Sequence, residues 1–188
     1  IIDNEGNAVS VTTTLNTNFG SKVFVNDLGF LLNNEMDDFS SKPGYPNTYG
    51  LIGSEANAIA PQKRMLSSMS PTIVEKNNKL FLVLGSPGGS TIITSVFQTI
   101  MNTMVFNMDI QSAVDKPRFH HQWLPNHIFI EKNEFPQSAI DSLISIGHKI
   151  KERSSMGHVN AILINGEIKT GADKRGYNSG LELYVPTQ

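Results

Sequence analysis

Three stretches of the chain have the hydrophobic spacing of amphipathic helices. From residue 90 to about residue 106 the apolar side chains recur every three or four positions, as in a helix with one buried stripe: Ile92, Ile93, Val96, Phe97, Ile100, Met101, Met104 and Val105. A short second helix is predicted from Ile110 to Asp115, stopped by Pro117. A third is predicted from Pro136 to about Ile146. The stretches outside these helices are predicted to form strands and loops.

Alternating or β-branched stretches predict a set of short strands. Residues 7–15 follow turn residues and predict a hairpin arm that enters a strand. Residues 72–74 and 80–84 flank a polar turn and predict a hairpin. Further strands are predicted at residues 22–25, 29–32, 127–131, 149–152, 160–164, 168–172 and 181–185. This order indicates a layered fold with a mainly antiparallel sheet, in a single domain over residues 1–188.

Composition excludes several classes of function. The 15 basic and 17 acidic residues are scattered without long runs, which argues against binding of nucleic acid and against a polybasic membrane anchor. No apolar stretch approaches the roughly 18 residues of a membrane span. The chain has no cysteine, which excludes thiolate nucleophiles and cysteine-ligated metals. Because Ile1 is neither an initiator methionine nor part of a charged leader, we expect a processed or truncated chain.

The five histidines do not have the spacing of a metal site. His120 and His121 are adjacent, so on a strand they would face opposite sides, and His127, His148 and His158 show no ligand spacing. The order of residues leaves a Ser-His-Asp triad open, but no Gly-x-Ser-x-Gly motif is present. We therefore expect no metal and no other cofactor.

A glycine-rich turn precedes the long predicted helix. Residues 85–90 read Gly-Ser-Pro-Gly-Gly-Ser. Glycines let backbone N–H groups approach a ligand, and a helix N-terminus adds positive partial charge, which together favour an anion or an oxyanion. The turn lacks the ending of a P-loop and the glycine order of a dinucleotide site, so an oxyanion hole for acyl transfer is the better functional interpretation. A simple tight strand-to-helix turn is the alternative.

Two polar clusters could bind the charged ends of a small zwitterion. Glu35 and Asp38 lie in an acidic cluster, and Asp38 could accept hydrogen bonds from an ammonium group. Asx turns beside the neighbouring asparagines are the alternative. Ser67 and Ser68 could fix a carboxylate or cap local backbone. Residues 40–64 are rich in proline and glycine and predict a long loop that could act as a lid.

In order and spacing, these segments resemble the small subunit of γ-glutamyltransferases. The resemblance lies in residues 33–39 (Asn-Asn-Glu-Met-Asp-Asp-Phe), residues 61–73 (Pro-x-Lys-Arg-x-Leu-Ser-Ser-Met-x-Pro-Thr-Ile) and residues 85–89. The motifs Pro117-Arg118-Phe119-His120 and Ala172-Asp173-x-Arg175 extend it almost to the C-terminus. It therefore covers nearly the whole chain and depends on long, unusual motifs.

The resemblance implies an α+β fold of the N-terminal-nucleophile hydrolase class, a four-layer αββα sandwich completed by a large subunit of the same precursor. Such a zymogen cleaves itself before a threonine, which is expected just upstream of Ile1. The threonine hydroxyl is the nucleophile and its α-amino group, with a reference pKa of roughly 8, is the base. The γ-glutamyl group of glutathione or a related amide passes to the threonine, then to water or to an acceptor amino acid or peptide.

The resemblance also implies roles for individual residues. Thr14 would hydrogen-bond the nucleophile, and Gly88 and Gly89 would donate their N–H groups to the oxyanion. The ends of the glutamyl group would be held by Asn16, Glu35, Asp38, Ser67 and Ser68. Residues 43–54 would form a lid with Tyr49 as its aromatic gate. Some relatives have Gln in place of Glu35, and the main arginine for the substrate carboxylate is expected on the large subunit.

Two alternatives stay open at this stage. One is a relative that acts on poly-γ-glutamate or on acylated β-lactams, although a lid favours small substrates because a long polymer needs an open groove. The other is a non-catalytic subunit or binding module. The resemblance further implies a periplasmic or secreted bacterial protein. From the charge pattern and the short apolar stretches we expect it to bind neither nucleic acid nor a membrane.

Overall fold

The computed structural model describes residues 1–177 and 179–180. The chain forms two compact units. The larger unit contains residues 1–12, residues 69–120 and the described residues from 128 to 180. The smaller unit contains residues 13–68 and 121–127. The single domain predicted for the whole chain stays a prediction.

The predicted helices are all present, and most of the predicted strands are too. Within residues 1–177 the strands are β1 (Phe24–Val25), β2 (Phe30–Leu31), β3 (Thr72–Lys76), β4 (Lys79–Gly85), β5 (Phe119–His120), β6 (Ile128–Glu131), β7 (Ile150–Arg153), β8 (Asn160–Ile164) and β9 (Ile168–Ala172). The helices there are α1 (Thr91–Met104), α2 (Ile110–Asp115) and α3 (Gln137–Ser145), and 3₁₀ turns cover Glu35–Asp38 and Glu55–Asn57. The prediction at residues 181–185 lies outside the described residues.

The larger unit contains a four-stranded antiparallel sheet with the order β3-β4-β8-β9. The predicted hairpin of β3 and β4 is confirmed, with Thr72 opposite Leu84 and Lys76 opposite Lys79. On its other side β4 pairs with β8. Since β4 is a central strand, its residues 81–84 are all buried and read as one apolar run. This strand ends at Gly85, where the glycine-rich turn begins.

Helix α1 packs one narrow face against the core. Ile92 and Val96, one turn apart, are buried, whereas Ile93 and Phe97 are 55% and 57% exposed, so the predicted stripe is too wide. The buried cluster is Phe81, Leu82, Leu84, Val96, Ile110, Val114, Val159, Ala161 and Leu163. Burial of each such aliphatic side chain stabilises the fold by about 1.5–3 kcal/mol. The core therefore fixes β4 and α1, and with them both ends of the turn.

A second sheet of the larger unit has the order β5-β6-β7. Strand β5 runs antiparallel to β6, and β6 runs parallel to β7. Parallel neighbours need a crossover connection, and α3 lies in the connection between β6 and β7.

Four charged side chains form a buried charge network in the larger unit. Its members are Arg118, Glu131, Asp173 and Arg175. The carboxylate of Asp173 lies 2.7 Å from a guanidinium nitrogen of Arg118 and 3.0 Å from one of Arg175. The other terminal nitrogen of Arg175 lies 2.5 Å from the carboxylate of Glu131. All four side chains are at most 7% exposed. Because a buried charge is costly unless it is paired, two cations and two anions share this position.

The smaller unit has little regular structure. Strands β1 and β2 form a short antiparallel hairpin, and the 3₁₀ turn at Glu35–Asp38 follows it. The predicted long loop is ordered by the 3₁₀ turn at Glu55–Asn57 and by isolated bridges between Ser40 and Ala58 and between Pro46 and Ile52.

The strand predicted at residues 7–15 is wrong. The turn before it is present, because the carboxylate of Asp3 accepts hydrogen bonds from the N–H groups of Glu5 and Asn7. The predicted hairpin arm is present too, since Ile1 and Val9 each donate an N–H to the other's carbonyl at 2.9 Å beside the bridge between Ile2 and Ala8, but no strand follows it at residues 10–15. Further along, Ser10 contacts Leu84 through its hydroxyl rather than through backbone pairing. Alternation of side chains indicates strand propensity, whereas a strand also needs a paired backbone. No helix among the described residues is long and apolar enough to cross a membrane.

Candidate functional site

The glycine-rich turn joins the end of β4 to the first residue of α1. Gly88 and Gly89 both have positive φ angles, of 143° and 57°. A Cβ atom on Gly88 would lie 2.6 Å from the Thr91 hydroxyl and 3.1 Å from Cα of Gly157, so a side chain does not fit there. The predicted turn is thus confirmed, and its geometry requires glycine. The role of its N–H groups as oxyanion donors stays a prediction.

A cavity of about 270 Å³ lies in the smaller unit. Its lining includes Asp38 and Tyr49 together with Leu66 and Ser68. The structure thus gathers three of the predicted site residues around one space, although they are up to 30 positions apart in the sequence. Their chemistry is complementary, since a carboxylate accepts hydrogen bonds and a hydroxyl can donate one.

The acidic end of the cavity has an unusual charge environment. Burial raises the pKa of Asp38, and the negative charges of Glu35 and Asp37 raise it further. Burial likewise raises the pKa of the Tyr49 phenol, with added contributions from Asp38 and Asp37. Burial disfavours ionisation of both groups, and the smaller contributions from the neighbouring carboxylates show that additional negative charge is disfavoured here.

The predicted lid is held against the remainder of the smaller unit by specific hydrogen bonds. The Tyr49 hydroxyl donates to the carbonyl of Asn16 at 2.8 Å, and the Thr48 N–H donates to the carboxylate of Asp37 at 3.1 Å. The amide of Gln122 donates to the carbonyl of Tyr49 at 3.2 Å. The side chain of Asn47 accepts from the N–H group of Tyr49, which shapes the tip of the loop. Tyr49 is therefore fixed in a half-buried position.

Thr14 and Asn16 lie at the edge of the same unit. The Thr14 hydroxyl oxygen accepts the N–H of Asn16 at 2.8 Å, which leaves the hydroxyl hydrogen as a donor. Asn16 has a φ angle of 74°, and its amide donates to the carbonyl of Asn34 at 3.2 Å. These bonds connect the segment with the start of the acidic turn. The predicted contacts of Thr14 with a nucleophile and of Asn16 with a substrate stay predictions.

Asn57 connects the two predicted ends of the glutamyl site. Its amide donates to the carbonyl of Asp38 at 2.7 Å, and its side-chain oxygen accepts the N–H of Leu66 at 2.9 Å. Ser67 and Ser68 follow directly, with Ser67 exposed and Ser68 partly buried. Sequence reasoning missed Asn57 and Gln122, because a single amide in a loop carries no pattern.

The remaining candidates do not add a metal site. Within the part of the chain that the structure describes, no group of three or more His, Asp or Glu side chains could hold a metal ion. His120 is buried on β5, and its Nδ1 atom lies 2.8 Å from the hydroxyl of Thr94.

The site residues predicted from the sequence divide between the two units: Gly88 and Gly89 belong to the larger one, and the others to the smaller one.

Comparison with known proteins gives one consistent result. Residues 1–183 match the family model for γ-glutamyltranspeptidase. The glutathione hydrolase proenzyme of Escherichia coli K12 is 49% identical over 177 residues, which cover 93% of this chain and 30% of that protein. The centipede protein Scoloptoxin SSD20 from Scolopendra dehaani is 41% identical over 158 residues, 84% of this chain and 79% of that protein. The chain thus spans about 30% of the length of the first curated relatives it matches.

Solved structures support the same grouping. An acivicin-inhibited γ-glutamyltranspeptidase superposes with a TM-score of 0.92 at 53% identity, covering 94% of this chain and 97% of that one. This similarity confirms the predicted α+β class and the N-terminal-nucleophile hydrolase fold.

Proposed function

Because the chain belongs to the γ-glutamyltranspeptidase family, we propose that it is the small subunit of an enzyme that transfers or hydrolyses γ-glutamyl groups. The proposed donors are glutathione and related γ-glutamyl amides, and the acceptors are water, amino acids or peptides. A large subunit of the same precursor completes the four-layer αββα sandwich of the heterodimer. The nucleophile is the threonine expected upstream of Ile1, freed by self-cleavage, with its own α-amino group as base.

The cavity lined by Asp38, Tyr49 and Ser68 is the observation that carries this proposal. A γ-glutamyl group ends in an ammonium and a carboxylate. Asp38 supplies a negative charge for the ammonium, and Ser68 supplies a hydroxyl for the carboxylate. Tyr49, in the predicted lid, lines the same space and would help to enclose the bound group.

The proposed reaction has two halves. The threonine hydroxyl attacks the γ-carbonyl carbon while the α-amino group takes its proton, and the carbonyl oxygen becomes negative. The C–N bond then breaks, and the departing amine receives the proton. Water or an acceptor amine attacks the resulting ester by the same route, which frees the threonine. In both halves the N–H groups of Gly88 and Gly89 would stabilise the negative oxygen.

The raised pKa of Asp38 makes binding sensitive to acid. Only the ionised carboxylate attracts the ammonium, and burial with two acidic neighbours makes Asp38 take up its proton at a higher pH than an ordinary carboxyl group. The kcat/KM of the enzyme should therefore fall on the acid side as Asp38 protonates, because kcat/KM follows the ionisation of the free enzyme.

The test is turnover of γ-glutamyl-p-nitroanilide by the full, self-cleaved precursor. Asp38→Asn should lower kcat/KM by about 10- to 100-fold, since a hydrogen bond to a charged group contributes about 1.5–3 kcal/mol. Most of the loss should be in KM, because the ammonium is held in the ground state as well as in the transition state. The matched control is Asp27→Asn, at an exposed position in the hairpin turn between β1 and β2. A cleaved parent enzyme without turnover would contradict the proposal.

The alternatives have less support. A non-catalytic subunit predicts that mass spectrometry of the mature small subunit finds no N-terminal threonine. Action on poly-γ-glutamate needs an open groove, whereas Tyr49 is held in place by the hydrogen bond that its hydroxyl donates to Asn16 and the one that its carbonyl accepts from Gln122. A periplasmic or secreted location is proposed with the function, on the family resemblance, and fractionation of the source cells tests it.

A further inference from the structure

The two glycines of the proposed oxyanion hole lie in peptides whose carbonyl groups are held by buried hydroxyls. The Ser86 hydroxyl donates to the carbonyl of Pro87 at 2.7 Å. The Thr91 hydroxyl donates to the carbonyl of Gly88 at 2.8 Å, and the Thr91 N–H donates to the same oxygen at 3.1 Å. Ser86 and Thr91 are each only 2% exposed, so water does not compete for these bonds.

Peptide planarity transmits this constraint to the N–H groups. The carbonyl of Pro87 and the N–H of Gly88 belong to one rigid trans unit and point in opposite directions. The carbonyl of Gly88 and the N–H of Gly89 are related in the same way. The Ser86 hydroxyl therefore fixes the direction of the Gly88 N–H, and the Thr91 hydroxyl together with the Thr91 N–H fixes that of the Gly89 N–H. Glycine has the freest backbone of any residue, so without such a bond the plane could rotate.

Ser86 is itself held from the opposite side by residues 156–159. Its oxygen accepts the N–H of His158 at 3.0 Å. Gly157 packs closely beside it, because a Cβ atom there would lie 2.7 Å from the Ser86 hydroxyl and 2.6 Å from that of Ser95. The backbone of this segment is thus in direct contact with the Ser86 side chain.

The buried charge network fixes residues 156–159 in turn. Arg118 donates to the carbonyl of Met156 at 2.7 Å, and Glu131 accepts the N–H of the same residue at 3.1 Å. Asp173 accepts the N–H of Val159 at 2.8 Å. The peptide groups on both sides of Gly157 and His158 are therefore bonded to buried charges, which gives Ser86 a rigid support.

We propose that Ser86 and Thr91 are positioning residues that hold the peptide planes of the two oxyanion donors, Gly88 and Gly89. This inference depends on the proposed function, because it assigns the two hydroxyls to the oxyanion hole of that reaction. Both acylation and deacylation pass through an oxyanion, so a misdirected N–H slows whichever step limits turnover.

The experiment compares variants of the full self-cleaved precursor with γ-glutamyl-p-nitroanilide as substrate. Thr91→Val removes the hydroxyl at nearly constant volume, and Ser86→Ala tests the second plane independently. Each should lower kcat by about 10- to 100-fold, somewhat less than the loss of an oxyanion donor itself, and leave KM within about twofold. Thr91→Ser keeps the hydroxyl and should restore most of kcat. The matched control is Thr99→Val in the same helix, where a buried hydroxyl donates to the carbonyl of Ser95.

A boronic acid analogue of the γ-glutamyl group gives a second measurement, because its tetrahedral adduct resembles the transition state. In the variants its inhibition constant should rise by about the factor by which kcat falls. The inhibition constant of glutamate, which binds without an oxyanion, should not change. If Thr91→Val and Ser86→Ala keep the kcat of Thr99→Val while the parent enzyme is active, this inference alone is overturned. If the parent enzyme is inactive, the proposed function is overturned and this inference with it.

Discussion

Replacing Asp173 with asparagine removes one negative charge from the buried charge network and keeps the size of the side chain. Asp173 lies 2.7 Å from Arg118 and 3.0 Å from Arg175, and it also accepts the N–H groups of Val159 and Arg175 at 2.8 and 3.0 Å. The variant leaves two buried guanidinium groups facing the single carboxylate of Glu131. Breaking a buried pair in this way should destabilise the enzyme by about 3–5 kcal/mol.

The assay is thermal or urea unfolding of the cleaved two-subunit enzyme, measured side by side for parent and variants. The matched control is Glu167→Gln, which breaks the ion pair with Lys169, where the two side chains are 73% and 58% exposed. Exposed pairs contribute little, so this variant should unfold close to the parent. If Asp173→Asn destabilises the enzyme no more than Glu167→Gln does, the network does not hold the fold together.

The same variant has a defined dependence on pH. Burial opposes ionisation of Asp173, but the hydrogen bond from the N–H of Arg175 and the charge of Arg118 outweigh it, so the pKa of Asp173 is lowered. A lowered pKa contributes stability above the unfolded-state value of about 3.9, and that stability is lost as the pH falls through the lower folded-state value. The difference between parent and Asp173→Asn should therefore be full above about pH 5 and shrink below about pH 4.

Four further substitutions test other parts of the structure. Gly88→Ala places a Cβ atom 2.6 Å from a side-chain oxygen and should lower kcat of γ-glutamyl-p-nitroanilide turnover by about 100-fold; normal turnover would contradict the turn geometry. Asn57→Ala removes the hydrogen bonds that connect Asp38 with Leu66 and should raise KM more than it lowers kcat in the same assay. Gln122→Ala removes a bond to the lid and should speed proteolytic cleavage within residues 43–54 without changing the melting temperature. Leu82→Ala, at a fully buried position, should cost about 2–5 kcal/mol in unfolding experiments.

The elements predicted best from the sequence are those with a local cause. Helix α1 and the hairpin of β3 and β4 follow from hydrophobic period and turn residues, and both agree with the structure to within two residues at each end. The strand at residues 7–15 is wrong because alternation alone does not supply a pairing partner. The exposure of Ile93 and Phe97 on α1 could not be predicted either, since spacing does not say how wide the covering surface is.

The candidate site likewise contains one part that the sequence predicts and others that it does not. The glycine-rich turn could be predicted because glycine and a following helix have direct chemical meaning. The cavity that gathers Asp38, Tyr49 and Ser68 depends on contacts between positions far apart in sequence. The chemistry of Asp38 and Ser68 made them candidates with equally simple structural alternatives, and only the family resemblance pointed to Tyr49. The bridging role of Asn57 and the hydroxyl bonds of Ser86 depend on side-chain direction, which the sequence does not specify.

The buried charge network also sets an order of events during synthesis. Arg118 and Asp173 are 55 positions apart in the chain, so at about 5–20 residues per second the ribosome makes the arginine roughly 3–11 seconds before its partner. During that interval the guanidinium of Arg118 must stay in water, and residues 156–159 lack their full set of bonds. The support beneath the glycine-rich turn can therefore be completed only after nearly all of this chain has emerged. A chain truncated before residue 173 should expose residues 156–159 to proteases, whereas the full chain should protect them.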